Sequence, residues 1–367
     1  MKKEKSSVAF VDFSYNFYDK HAIYCLSSFM NENGINVEYI HEKSFSKALI
    51  RIKQINPDVL LYSAFSTDIN TFIEFDGIAK KDTNAKSVIG GHGPSLERET
   101  LKNSTIDALC IGEGEHAIVD YISNGFYCHK NIISNSNNSN GNVSLDEYYP
   151  LVEMDLLPFP NRDIVYKADN VLRLMPTKQF LSGRGCPFKC TYCSNHAMRK
   201  LAEGKYVRFR SADHIIGELK YITKSYPNVS RVYLEVETFG ANRKATYKIF
   251  DALAEYNQSR EIPLKFGVNF ALTSSFMKNK DRIHETLRKV KAANITTINI
   301  GLESGSERMR KEVLRRPPYT NDELVNFCDI AKTYGLEIVF FVLFGLPGET
   351  IDDYMETVKV CRRAQPF

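Results

Sequence analysis

The chain carries one compact group of residues whose type and spacing can do chemistry, Cys186-Pro-Phe-Lys-Cys190-Thr-Tyr-Cys193. Three thiols in this C-x3-C-x2-C arrangement can hold three irons of a four-iron cluster and leave the fourth iron without a protein ligand. An iron held by four thiolates mainly moves electrons, whereas an iron with an open position can bind a substrate. Iron–sulfur clusters ordinarily take four cysteines, so the missing one is informative. Zinc also gathers cysteines, but structural zinc sites usually show two short pairs or a Cys/His set. Here there is one triplet, with His196 close enough in sequence to imitate a fourth ligand. A disulfide would leave one cysteine of the triplet over.

A second group is Leu234-Glu235-Val236-Glu237. Alternation at the end of a strand sends both carboxylates to one face. Two acids inside a barrel need a cationic partner, either a ligand's ammonium group or an arginine such as Arg208 or Arg210. Arg184, Lys189, Arg199 and Lys200 surround the triplet. They could dock an acidic reductant, and they could equally form a solvated face.

The elements that must hold these groups follow from periodicity. Strand signals at Ser7–Phe13, Ile35–Ile40, Asp58–Ser63, Lys86–Ile89 and Ala108–Ile111 alternate with helical patterns. Five such units predict a doubly wound parallel sheet of flavodoxin type, which binds ligands at the carboxyl ends of its strands. The segment from 128 is polar and turn-prone and reads as a linker, ending in the extended Leu157-Pro-Phe-Pro-Asn-Arg-Asp163. Alternation resumes with strands at Gln179–Ser182, Arg231–Val236, Leu264–Phe270, Thr297–Gly301 and Glu337–Phe344. Thr320-Asn-Asp-Glu323 is a capping box, and the helix it opens ends at Gly335. The triplet falls after the first strand of this second series, on the rim where α/β barrels place their chemistry. The expected domains are 1–127, a linker at 128–175, and a barrel over 176–367.

Composition sets the frame. The 367 residues are 43% hydrophobic, enough for two or three ordinary cores. Lysines and arginines exceed acids by 48 − 44 = 4, too little to argue for nucleic acid or a membrane surface. Eight cysteines in a chain of this length are not a disulfide framework. Cys25, Cys110, Cys128, Cys328 and Cys361 read as small buried hydrophobes. No apolar stretch long enough for a signal peptide's h-region follows Met1-Lys-Lys-Glu-Lys, and the longest apolar run, 338–346, is too short for a bilayer. A reducing cytoplasm is the expected location.

Beyond the triplet, several segments carry a resemblance: Val207-Arg-Phe-Arg-Ser211, Leu234-Glu-Val-Glu-Thr-Phe239, Gly301-Leu-Glu-Ser-Gly305, Phe344-Gly-Leu-Pro-Gly-Glu-Thr350, and Leu157 to Asp163 before them. Together with the alternating first domain they resemble the radical S-adenosylmethionine (SAM) enzymes that carry a cobalamin (B12)-binding domain. The resemblance runs from about residue 7 to residue 363. It implies a flavodoxin-like B12-binding domain followed by a partial (β/α)6 TIM-like barrel. Five units are visible where such barrels usually have six, so the expectation is a chain truncated at its C-terminus, or a closing strand supplied from upstream.

The resemblance also implies roles. Cys186, Cys190 and Cys193 would bind a [4Fe-4S] cluster whose open iron chelates SAM. Tyr192 would pack near the adenine, or simply pack. Glu235 or Glu237 would take the SAM amino group, although the family's common pattern here is Asp-Asp or Gly-Gly-Glu. Glu303 and Ser304 resemble the ribose-contacting position, with a helix cap as the plainer reading of Ser304. Gly345 would let backbone approach the adenine, or only turn the chain. Base-off cobalamin domains carry D-x-H-x-x-G, S-x-L and G-G. This chain has Asp19-Lys-His21-Ala-Ile-Tyr24, Ser63-Ala-Phe65 and Gly90-Gly91, each but the last incomplete. His21 would be a lower cobalt ligand, with Ser63, Gly90 and Gly91 along the nucleotide tail. The plainer reading is a domain that kept the fold and lost the ligand.

The implied activity is reductive cleavage of SAM to a 5′-deoxyadenosyl radical, in a cobalamin-dependent methyltransferase acting on an unactivated carbon. Alternatives are a radical SAM cyclase or rearrangement enzyme that uses no methylcobalamin, and a non-catalytic cobalamin or iron–sulfur module. A methylthiotransferase needs a second cluster, for which the first domain offers only Cys25, Cys110 and Cys128. Implied partners are a small-molecule or peptide substrate and a flavodoxin- or ferredoxin-type electron donor, with no nucleic acid and no membrane span. No side chain is singled out as an acid, base or nucleophile.

Overall fold

The computed structural model describes residues 6–14, 18–102, 104–134, 145, 147–201 and 203–367. The central part of the polar 128–146 stretch lies outside the described residues. The chain forms two compact units, Met1–Leu174 with Ala197–Tyr206, and Met175–His196 with Val207–Phe367.

The first unit is built on β1 (Ser7–Asp12), β2 (Asn36–His41), β3 (Val59–Ser63), β4 (Lys86–Gly90), β5 (Ala108–Cys110) and β6 (Ile132–Ser134), in the order β2-β1-β3-β4-β5-β6. The first five are parallel, and β6 runs antiparallel to β5 along the edge. The order 2-1-3-4-5 is the flavodoxin arrangement expected from the sequence. The central strands read as unbroken apolar runs, such as Val8 to Val11, because helices on both faces bury every residue. Tyr62, Phe72, Phe75, Ile89 and Leu109 lie at the heart of this core.

The proline-rich segment that follows is tied to the first helix, His21–Glu32. Ser28 Oγ accepts from the Asn161 amide at 2.7 Å. Asp19 Oδ1 accepts from the Tyr24 and Tyr166 hydroxyls, each at 2.8 Å, and its other oxygen lies 3.3 Å from Arg162 Nη1. The Arg162 side chain is 1% exposed and its guanidinium covers the Tyr24 ring. A buried guanidinium survives there because a carboxylate and an aromatic face replace its water.

The second unit has five parallel strands among the described residues. We number β7 (Thr177–Leu181), the short hairpin-like pair β8 (Gly183–Arg184) and β9 (Arg208–Phe209), then β10 (Arg231–Glu235), β11 (Lys265–Asn269), β12 (Ile295–Glu303) and β13 (Glu337–Val342). The main sheet runs β13-β12-β11-β10-β7. Helices follow as the sequence predicts, and the Thr320–Glu323 capping box forms with both hydrogen bonds in place. Leu324, Phe327, Cys328 and Ala331 form its buried face, and Gly335, at φ +71°, follows the helix.

Alternation sorts the two faces of each strand. On β10, Val232 and Leu234 are fully buried, whereas Arg231, Tyr233 and Glu235 share the other, half-buried face. That face is polar and layered. Arg231 bonds Thr296 and Thr297 at 3.1 and 2.8 Å and lies 3.6 Å from Glu337. One layer up, Tyr233 donates to Asn269 at 2.7 Å and accepts from Asn299. Gly267 makes room for this tyrosine, since a β-carbon there would stand 2.6 Å from its ring.

Candidate functional site

The cysteine triplet lies on the loop after β7 and β8, at the carboxyl end of the sheet. All three thiols are free; Cys190 is 6% exposed, and Cys186 and Cys193 are half-buried. The loop is short and rich in small and turn residues, so neighbouring strand ends must fix its course. Glu237, just past β10, accepts from the Gly185 amide at 3.0 Å and from Asn195 Nδ2 at 3.2 Å. One carboxylate oxygen thus ties down the chain on both sides of the triplet. Between Cys190 and Tyr192, the Thr191 amide donates to Leu314 O at 3.0 Å and its hydroxyl to Val313 O at 2.6 Å.

Tyr192 leads inward to β12. Its hydroxyl donates to Glu303 Oε1 at 2.8 Å and accepts from Arg316 Nη1 at 3.0 Å. The same Nη1 lies 3.8 Å from Cys190 Sγ and 3.7 Å from Glu303, while Nη2 donates to Gly301 O. Glu303 is 8% exposed and sits at φ +62°, a region that a non-glycine residue adopts at some cost. The register between β12 and β13 shifts at Gly301/Glu303, which aims this carboxylate back along its strand. Gly301 is required there, because a β-carbon would stand 2.3 Å from Glu303 Oε1.

Three free thiols on one short loop are the donor type an iron–sulfur cluster takes, and among the described residues no three His, Cys, Asp or Glu side chains converge to hold a metal ion. Burial pushes the Cys186 thiol up to about 11, and Glu237, Cys190 and Cys193 add to the rise. Three adjacent thiolates beside a carboxylate become stable only around a strongly positive centre. Two donors already point at the sulfurs, the Asn195 amide at Cys193 (3.5 Å) and Arg316 at Cys190. Such bonds are the usual surroundings of cluster thiolates.

The other barrel residues singled out from the sequence sit in different settings. Glu235 is half-buried on the polar face of β10, and Glu237 is exposed with its oxygen engaged by the cysteine loop. Arg210, one of the arginines considered as their partner, pairs with the buried Glu218. Ser304 is fully buried; its hydroxyl accepts from the Ser306 amide at 3.2 Å, a turn-forming contact. Gly345, at φ +71°, is exposed, and its amide donates to Glu349 Oε2 at 2.8 Å. Space around its α-carbon is open.

In the first unit, Ser63 and Gly90 are neighbours at the ends of β3 and β4. Gly91, at φ +105°, lets the chain pass against Ala64, whose carbonyl a β-carbon would meet at 2.5 Å. His21 opens the first helix, edge-on to the Tyr24 ring at 6.3 Å. Beside the Ser63–Gly90 rim, Phe65 is largely exposed and lies parallel to the His92 ring. Of the five other cysteines, Cys25, Cys110, Cys128 and Cys328 are buried as expected, and Cys361 is half-buried. Burial pushes Cys110 up to about 12.

Sequence reasoning missed Arg316 and Thr191. Arg316 is 126 residues from Cys190, and its only signal is a pair of arginines before two prolines. Glu237 was picked out for a ligand, and the loop contact it makes was not foreseen.

The sequence profile of the radical SAM superfamily matches residues 180–361, and that of the B12-binding domain matches residues 13–122. The chain belongs to the radical SAM superfamily. The B12-binding domain lies within the first unit, and the fold class expected from the sequence stands. Radical SAM membership implies a [4Fe-4S] cluster and SAM, and the B12-binding domain implies cobalamin. An uncharacterized methyltransferase of Pyrococcus horikoshii is 27% identical over 87% of this chain and 67% of its own length. A tRNA-2-methylthio-N(6)-dimethylallyladenosine synthase of Clostridium beijerinckii is 23% identical over 77% of this chain and 61% of its own. Among solved structures, the radical SAM methyltransferase TsrM of Kitasatospora setae, with cobalamin and a [4Fe-4S] cluster bound, superposes with a TM-score of 0.78. It is 15% identical, over 99% of this chain and 71% of TsrM. The cobalamin-dependent SAM radical enzyme OxsB, with aqua-cobalamin and SAM bound, gives 0.76 at 17% identity, over 97% of this chain and 52% of OxsB. The radical SAM chain therefore spans between half and about seven-tenths of these relatives. No helix among the described residues is long and apolar enough to cross a membrane.

Proposed function

We propose that this chain cleaves SAM reductively to a 5′-deoxyadenosyl radical in a cobalamin-dependent methylation of an unactivated carbon. The observation that carries the reading is the cysteine loop, with three free thiols gripped at both ends by Glu237 and at its centre by Thr191. When bound, the cluster would supply one electron and an open iron for SAM, and cobalamin a transferable methyl group. Cys186, Cys190 and Cys193 would hold the cluster. Glu235 would meet the SAM ammonium from the polar face of β10, which leaves Glu237 to the loop. Tyr192, Glu303, Ser304 and Gly345 would border the rest of SAM, with the polar face below them excluding bulk water from the radical. Ser63, Gly90 and Gly91 would flank the cobalamin nucleotide tail, and His21 is the candidate lower ligand. We assign domains at 1–127 and 176–367, joined by 128–175. The substrate would be a small molecule or peptide, the electron donor a flavodoxin- or ferredoxin-type protein, and the location the cytoplasm.

The methyltransferase name of the Pyrococcus relative and the description of TsrM support this choice of reaction. The Clostridium relative suggests methylthio transfer as a second reading. That reaction needs a second cluster, and Cys25, Cys110 and Cys128 are all buried in the first unit. Reconstituted, anaerobic protein given SAM, dithionite and hydroxocobalamin tests the proposal. Deoxyadenosine together with corrinoid retained after desalting is the expected result. Deoxyadenosine without corrinoid would remove cobalamin from the reading, and neither from fully iron-loaded protein would overturn it.

A further inference from the structure

Arg316 places a guanidinium against the cysteine triplet, and it is built in rather than laid on the surface. Its side chain is 10% exposed. Gly301 O and the Tyr192 hydroxyl fix two of its nitrogens, and Glu303 lies 3.7 Å away as counter-charge. The Nη1 that donates to Tyr192 also meets Sγ of Cys190, the most buried of the three cysteines, at 3.8 Å. The backbone leading to Arg316 is locked to the same loop, through Val313 O and Leu314 O on Thr191. Arg315 precedes it at φ +49°, a left-handed residue that turns the chain so that residue 316 faces the thiols.

A charge in that place has two consequences. A charge-assisted N–H bond to a thiolate is stronger than a neutral one and directional. Positive charge and hydrogen bonds at cluster sulfurs favour the more negative, reduced state, and burial limits screening by salt. Glu303 offsets part of the charge: its Oε1 lies 3.7 Å from Nη1 and also accepts from the Tyr192 hydroxyl.

We infer that Arg316 is a positioning residue for the iron–sulfur cluster, which orients Cys190 and raises the cluster's reduction potential. The inference rests on the cluster assignment proposed above. One electron enters the cluster from the titrant, and no bond forms or breaks.

The test is a redox titration of the reconstituted full chain, followed by electron paramagnetic resonance, with iron quantified in each sample. Arg316→Gln is expected to keep its iron and to favour the oxidised cluster at least tenfold, a fall of about 59 mV for one electron. Arg316→Lys keeps the charge without the fork and is expected to fall by less. Unchanged potential in an iron-loaded Arg316→Gln protein overturns the inference. If Arg316→Gln takes up no iron, Arg316→Lys decides: a lowered potential supports the inference, and a potential equal to that of the unaltered chain overturns it. Failure of the unaltered chain to form a reducible four-iron cluster would instead refute the cluster assignment, so the two failures are separable.

Discussion

Tyr192→Phe separates the hydroxyl of this residue from its ring. The hydroxyl sits between Glu303 Oε1 at 2.8 Å and Arg316 Nη1 at 3.0 Å, so one atom joins the cysteine loop to β12. A hydrogen bond to a charged group is worth about 1.5–3 kcal/mol. Tyr192 is 41% exposed, so water recovers part of that, and Arg316 can close on Glu303 once the phenol is gone. The net cost of opening the loop then falls to about 1–2 kcal/mol, or roughly a five- to thirtyfold gain in its open population. Global melting would hardly register this, because the loop opens locally. The reporters are the Thr191 amide, bonded to Leu314 O, and the Cys193 amide, bonded to Cys190 O. Hydrogen exchange of these two amides in the reconstituted protein should quicken by that factor, while amides in the β10 and β11 ladder stay unchanged. A double-mutant cycle with Glu303→Gln should return a coupling of about 1 kcal/mol. If Tyr192→Phe exchanges like the unaltered chain, the ring alone holds the loop and the hydrogen-bonded triad is not its anchor.

Other perturbations test neighbouring parts of the argument. Gly301→Ala drives a β-carbon into Glu303 Oε1, and should cost about 1–3 kcal/mol and slow iron uptake, read by melting and iron titration. Asp19→Asn leaves the Arg162 charge buried without its counter-ion; a loss of about 3–5 kcal/mol should lower the melting of the first unit by roughly 6–20 °C. A shift under about 2 °C would show that Arg162 finds other compensation. Burial alone would raise the Asp12 carboxyl, but Lys20, Ser14 and Tyr39 outweigh it and hold it below the ordinary value. Its contribution is therefore full above the unfolded carboxyl pKa of about 4 and is lost as pH falls through the lower folded one. Urea unfolding of Asp12→Asn should accordingly show a flatter loss of stability below about pH 4 than the unaltered chain.

The fold was legible because each parallel strand is a short apolar run closed by a turn signal, a pattern that needs only neighbours in sequence to be read. Strand β6 escaped because it is three residues at a sheet edge, defined by pairing with Cys110 rather than by any pattern of its own. The same division runs through the site. The triplet announces itself, since its three cysteines fall within eight residues of one loop. What fixes that loop comes from the ends of other strands, and such partners leave no local trace. Alternation put Glu237 on the face of Glu235; the strand ends before Glu237, and its hold on the cysteine loop is a contact that alternation does not signal.

Arg316 makes the general case. Its role depends on β12 bulging at Gly301/Glu303, on a left-handed Arg315, and on a loop docked through Thr191. Remove any one and the guanidinium points elsewhere, which is why no spacing in the chain could have named it. The strained φ of Glu303 has the same logic. A residue there without a positive φ would direct its carboxylate away from Tyr192, and the cost is met by the bonds that converge on that oxygen. Glu303→Gly would relieve the backbone and delete the carboxylate together, whereas Glu303→Gln keeps the strain and removes the charge. If the carboxylate is what orders the loop, Glu303→Gly should gain nothing in loop protection despite its easier backbone.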